Sequence, residues 1–265
     1  MTALIKKNIF NECFLRSALG AIVLAGLTAV AVLILCGPIS PARAQVVVPP
    51  NGYHEEDPAR RTREMVLERL RVGLARIKYG GGGDWYSDPS SLPNLLREFE
   101  QRTGIPTAAG ERVLEIGDPD LFSHPFLYMT GHGNVRLSGE EISRLRRHLL
   151  AGGFLYADDN YGMDESFRRM VTELFPEKRL AIVPLDHAIY RCFYDLDGPP
   201  KIHEHDGAPP QGLGVFDGDR MIVFYTYESD VGDGLEDPDV HGDPPVKREQ
   251  AIRMAVNVLY FALTQ

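Results

Sequence analysis

Residues 138 to 162 read SGEEISRLRRHLLAGGFLYADDNYG, and their order decides the fold. Ser138 followed three residues later by Glu141 is the pair that opens a helix, because each side chain satisfies an amide that the first turn leaves unpaired. The helix stops at AGG, FLYA is a short apolar strand, and the strand gives way to the polar turn DDNYG. The same units recur outward. Upstream, VGLARIKY is a strand that stops at GGGG, SSLPNLLREFEQRTG is a helix closed by Gly104, and ERVLEI and PFLYM are strand-like. Arg60 to Leu70 sets Met65, Val66, Leu67 and Leu70 among charges at helical spacing. Downstream come the helix DESFRRMVTELF, the strand RLAIV and a closing helix, KREQAIRMAVNVLYFAL, over residues 247–263. Such alternation requires crossover connections. It predicts one three-layer α/β domain over residues 60–265, a mostly parallel sheet with helices on both faces.

Before this domain, Lys6, Lys7 and Arg16 precede an 18-residue run, Ala18 to Leu35, in which only Thr28 is polar. The small-x-small pattern Ala42-Arg43-Ala44 follows, so residues 1–44 read as an export signal cleaved after Ala44. The run's length also suits an uncleaved anchor. Either way the domain is exported, periplasmic or on the outer face of the cytoplasmic membrane, and touches the bilayer only through this segment. Residues 45–59 are a proline-rich tether. Cleavage takes the formal net charge from −9 to −12. An acidic balance of that size excludes a nucleic-acid binder and docking on anionic lipid, both of which need a basic face. Cys13 and Cys36 leave with the leader, and Cys192 then has no internal disulfide partner.

In an open parallel sheet, ligands sit outside the carboxyl ends of the strands. RIKY leads into GGGGDWYSDP, FLYM into TGHGN and FLYA into DDNYG, so these turns share one rim. Gly81, Gly82, Gly83 and Asp84 read as an amide cradle for a ligand or as a flexible turn. Trp85 suits stacking on a sugar or ordinary core packing. Arg76 and Lys78 share a strand face, reaching the rim or guarding an edge. His132 between two glycines is a candidate catalytic group. Asp158 and Asp159 are candidate acid–base carboxylates, although one is expected to cap the following helix or bind turn amides. Asn160 and Tyr161 complete that turn as ligand contacts.

KIHEHDGAPPQ, residues 201–211, places His203 and His205 on one side if extended, with Asp206 entering the turn at Gly207. His203, His205 and Asp206 form a ligand set for zinc or a similar divalent cation. Surface hydrogen bonding explains the same letters. Residues 228–243 hold seven carboxylates in sixteen positions, which reads as a solvated surface or, without EF-hand spacing, a calcium loop. His241 joins the histidine loop if the two loops fold together.

RIKYGGGGDWYSDP, TGHGN, GGFLYADDNYGMD, KIHEHDGAPPQ and DVGDGLED together resemble the bacterial domain of unknown function 4159 family over about residues 72–263. The resemblance implies export or attachment to membrane-anchored chains. It also implies a flavodoxin-like fold akin to the class I glutamine amidotransferase-like group, with no established activity. Enzymes of that group carry a cysteine at the strand-to-helix turn where this chain has Ala157 to Gly162. With Cys192 in the aromatic stretch YRCFY, no thiolate nucleophile serves that turn. The expected function is a metal-assisted hydrolase of a polar, glycan-like substrate: Asp158 or Asp159 as general base, His132 stabilising developing charge. The alternative is a non-catalytic ligand- or partner-binding module at the membrane.

Overall fold

The computed structural model describes residues 71–265, so the leader, the tether and the first amphipathic helix read from the sequence lie outside the described residues. A seven-stranded sheet has the order β2-β1-β3-β4-β7-β6-β5. Its strands are β1 (Ala75–Ile77), β2 (Arg112–Leu114), β3 (Phe126–Met129), β4 (Phe154–Asp158), β5 (Ala181–Ile182), β6 (Gln211–Asp217) and β7 (Arg220–Tyr227). The helices are α1 (Ser91–Thr103), α2 (Gly139–Leu150), α3 (Asp164–Leu174), α4 (Val231–Leu235) and α5 (Pro245–Thr264). Among the described residues, no helix is long and apolar enough to cross a membrane.

The local signals act as expected. Ser138 accepts from the Glu141 amide at 3.3 Å while Glu141 accepts from the Ser138 amide at 2.7 Å. Gly104 closes α1 in the left-handed conformation at φ 74°. Every residue of β3 and β4 is buried, because a parallel sheet between two helical layers has no wet face. Strand alternation divides the apolar residues between two cores. Leu127, Met129, Leu155 and Ala157 pack with Leu145 and Leu149 of α2 and with Phe167 and Met170 of α3. Phe126, Tyr128, Phe154 and Tyr156 pack on the other face with Leu92 and Phe99 of α1 and with Met254 and Val258 of α5.

Two features depart from the expectation. RLAIV does not enter by a crossover onto the parallel strands; β5 pairs antiparallel with β6. β6 and β7 form a hairpin across the two-residue turn Gly218–Asp219, with Gly218 at φ 61°. Only β6 therefore runs against the common direction. The consequence is positional: the chain enters β6 from the rim where the parallel strands end, and it brings the histidine loop there.

Candidate functional site

Four strand ends and one incoming loop build a continuous rim. After β1, the Asp84 carboxylate binds His132 beyond β3 twice: it accepts from the His132 amide and lies 3.0 Å from Nδ1. The β4 turn lies against the same segment, since a Cβ at Gly162 would be 3.7 Å from the Gly133 amide nitrogen. Next along, the Tyr161 ring stacks on His205 at 4.6 Å. Asn160 Nδ2 donates to Asp88 at 2.6 Å and to Asp233 at 3.2 Å, joining the β1 loop to α4. The predicted turns and the histidine loop thus meet.

At the α4 side the loops place three ligating groups within 4.8 Å of one another: one atom each from His203, Asp233 and His241. A second group of that spacing comprises Asp88, Glu236 and His241. Two imidazoles with carboxylates suit zinc or another borderline first-row cation. His203 Nδ1 lies 2.8 Å from Asp233 Oδ2, and Nε2 lies 3.1 Å from Asp243 Oδ1. His241 Nε2 is 3.8 Å from Asp233 and 3.5 Å from Glu236. The histidine loop and the acidic loop do fold together. His205 and Asp206, expected as ligands, fall outside both groups: His205 pairs with Asp230, and Asp206 accepts from the Tyr161 hydroxyl at 3.1 Å. The reason is backbone shape. Residues 203 to 207 bend instead of running as a strand, and Gly207 at φ 74° turns the chain away.

Burial dominates the electrostatics. Asp158 is wholly buried, and its oxygens accept from the Thr226 hydroxyl and, at 2.6 Å, from the Gly232 amide. Burial still pushes its carboxyl up to about 8. Burial, and then the Asp233 charge, hold Asp88 well above the carboxylate range and push Asp230 up to about 8. Asp230 is 0% exposed and its Oδ1 has no hydrogen-bond partner. Among the described residues, the non-glycine positions with positive φ are Asp88, Tyr161, Glu228 and Asp230, all on this rim. Such strain persists where surrounding contacts over-determine the backbone, and it concentrates at functional sites.

The remaining sequence candidates take defined places. Gly81 and Gly83 allow two turns to touch: a Cβ would lie 2.7 Å from the Asn134 carbonyl at Gly81 and 2.9 Å from the His132 carbonyl at Gly83. The Gly83 amide donates to Asn134 at 3.1 Å and the Asp84 amide to His132 at 3.3 Å, so both are spent within the protein. Gly82, at φ 90°, has open space around it. Trp85 packs on the core with α2 and α3. Buried Arg76 gathers the Ser87 carbonyl at 2.7 Å and the Asp88 carbonyl at 3.0 Å, which fixes the loop carrying Asp88, whereas Lys78 pairs with Glu115 at 2.7 Å. Asp159 accepts from the Met163 amide at 3.1 Å, the helix-entry role foreseen for one of the pair. The thiol of half-buried Cys192 points to the Asn257 carbonyl at 3.3 Å, away from the rim.

Residues 73–263 match the family described as a domain of unknown function (DUF4159). The chain belongs to this family. The matched span includes every rim residue named above, so the site is a feature of the DUF4159 domain and not of the segment before it. No curated protein matches the chain. Within the DUF4159 domain, Asp230, Asp233, Glu236 and Asp243 belong to the acidic run that the sequence reads as a solvated surface or a calcium loop, and Asp88 is a site group that the sequence reading does not single out. Asp230, Asp233 and Glu236 recur at intervals of three, but only Asp233 lies within α4; Asp230 precedes it in the left-handed conformation and Glu236 follows it extended, so no helical spacing marks them.

Proposed function

We propose that this domain is a metal-assisted hydrolase of the cell envelope acting on a polar, glycan-like substrate. The observation that carries the reading is the convergence of His203, Asp233 and His241 within 4.8 Å at the sheet's carboxyl rim. These residues would hold a divalent ion, which would supply Lewis acidity and lower the pKa of a bound water. Asp230, wholly buried beside His203 with an unpartnered Oδ1, would be a further oxygen ligand for that ion. The general-base role expected of Asp158 does not fit it, because its two oxygens are engaged by Thr226 and Gly232. Asp84 holds His132 by backbone and ring, a fixed imidazole suited to stabilising charge on a substrate. Exposed Tyr86 and Tyr161 offer the flat faces on which sugars stack. The three-layer arrangement is compatible with the expected likeness to the class I glutamine amidotransferase-like group, the turn Ala157 to Gly162 carrying no cysteine. Export through residues 1–44 belongs to the same reading.

Metal analysis of protein purified without chelators, alongside His203→Ala, tests it together with hydrolysis of glycan substrates. Stoichiometric metal lost in the variant, and turnover abolished by chelation, are expected. Absence of metal from both proteins retires the reading. A second reading, a non-catalytic binding module, draws on the full engagement of Asp158; saturable binding of a glycan without turnover by the metal-loaded protein is its signature.

A further inference from the structure

We infer that the acidic basin holds two divalent cations bridged by Asp233, with His203 and Asp230 on one side and His241, Glu236 and Asp88 on the other. This rests on the metal reading above and specifies what the site binds.

Asp233 is disposed as a bridge. Its Oδ2 faces His203 Nδ1 at 2.8 Å, while its Oδ1 faces His241 Nε2 at 3.8 Å. One carboxylate therefore presents a different oxygen to each histidine, as a bridging ligand does in sites whose ions sit about 3.5–4 Å apart. His241 cannot serve both ligand groups at once. The same Nε2 atom faces Asp233 and Glu236, and one imidazole nitrogen binds one ion. The two groups are hence two positions that share an edge, and His241 belongs with Glu236, at 3.5 Å the nearer carboxylate.

His203 is oriented for the other position. Asp243 faces its Nε2 at 3.1 Å and Asp233 its Nδ1 at 2.8 Å; with the Nε2 proton held by Asp243, the Nδ1 lone pair would be left for an ion beside Asp233 and Asp230. A carboxylate behind a ligating imidazole is the usual support of a metal-binding histidine. Independently, Asp230 is 0% exposed, reaches 3.7 Å from His203 Nδ1 with Oδ2, and leaves Oδ1 unpartnered. A buried carboxylate oxygen with nothing to bind is costly unless a ligand completes it.

The basin also lacks a basic complement. Asp88, Asp230 and Glu236 are buried, Asp158 lies beneath them, and Asp233 and Asp243 are 14% and 8% exposed at their side chains. Among the described residues Asp230, Asp233, Asp243 and Glu236 pair with histidines, and none of the six carboxylates pairs with a lysine or arginine. The nearby Lys201 pairs with Glu228 at 2.5 Å, and Arg76 pairs with Glu111 at 3.5 Å. With no basic side chain paired to any of them, the complement this basin lacks is a cation, and the two ligand groups that meet at Asp233 and His241 give the two positions.

The test is equilibrium dialysis of the full-length protein against Mn2+ and against Zn2+, with metal counted per chain, and electron paramagnetic resonance of the Mn2+ form. Two equivalents and an exchange-coupled dimanganese spectrum are expected. His241→Ala, at an exposed ring, should retain one equivalent and give the spectrum of isolated Mn2+. Glu236→Gln keeps an oxygen for Ser90, which now donates to Glu236 Oε1 from its amide and hydroxyl at 3.0 Å, and should lose the same equivalent. A single equivalent in the unaltered protein, or two uncoupled ions, overturns the bridged pair and leaves the hydrolase reading standing. No bound metal overturns both.

Discussion

Gly232 sits inside α4, with a backbone that alanine can adopt, and propensity alone favours Gly232→Ala by about 0.5–1 kcal/mol. The side-chain surroundings oppose it. A Cβ there would lie 2.5 Å from Asp88 Oδ2, 2.9 Å from the Tyr128 hydroxyl and 3.2 Å from Asp158 Oδ2. None of these can simply swing aside: Asp88 is held by Asn160 at 2.6 Å, Asp158 by the Gly232 amide itself, and Tyr128 is buried between the sheet and its helices. Overpacking of this kind costs about 1–3 kcal/mol. Set against the propensity gain, the net expectation is a loss of up to about 2.5 kcal/mol, or a Tm lower by up to roughly 10 °C for a domain of this size. Urea unfolding in chelator measures it. Gly139→Ala is the control: also helical, with nothing within 4 Å of its Cβ, it should be neutral or slightly stabilised. If both variants gain stability alike, the packed carboxylate floor beneath the rim is wrong.

Asn160→Asp replaces the donor shared by Asp88 and Asp233 with another carboxylate; the expected cost in chelator is about 2–4 kcal/mol, shrinking when a divalent cation is added, and unchanged urea stability would refute it. His148 supplies a separate pH dependence: burial, and secondarily the neighbouring His124, lowers its pKa to about 4. The unfolded chain therefore binds a proton between about pH 6.5 and 4 that the folded chain refuses, so stability falls as pH drops through that window, by about 3 kcal/mol. His148→Gln should lose correspondingly less between pH 7 and 4.5, and equal losses would exclude the histidine as the cause.

What was legible in the sequence was local. The Ser138–Glu141 box, the Gly104 stop and the apolar runs FLYM and FLYA each act through neighbours a few residues away, and each forms where its letters predict. The rim followed, because the carboxyl ends of parallel strands share one edge. The identity of the metal-spaced set was only half legible. His203 stood out by its neighbour at two, but that spacing places both rings together only on an extended chain, and this loop bends. The acidic run hid its role because burial is a property of partners far away. Glu236 is covered by Ser90, 146 positions earlier, and Asp233 meets Asn160 across 73. Composition reports the charge of such residues and not what lies over them.

Stability and site chemistry pull against each other on this rim. A domain selected only to fold would place water, lysine or arginine beside Asp88, Asp230 and Glu236, yet here burial and mutual repulsion raise Asp88 and Asp230 while the left-handed backbone at Asp88, Glu228 and Asp230 adds strain. Each such backbone conformation costs on the order of 1–3 kcal/mol. The two large cores carry that load; in one of them the aromatic pairs Phe126–Phe154 and Tyr156–Phe224 stack across β3, β4 and β7. A positively charged occupant would relieve the electrostatic cost, neutralising the carboxylates and satisfying the Asp230 oxygen. That is why metal loading should raise the stability of this domain more than ion binding at an exposed acidic surface would, by an increment that grows with the logarithm of free ion concentration above its dissociation constant.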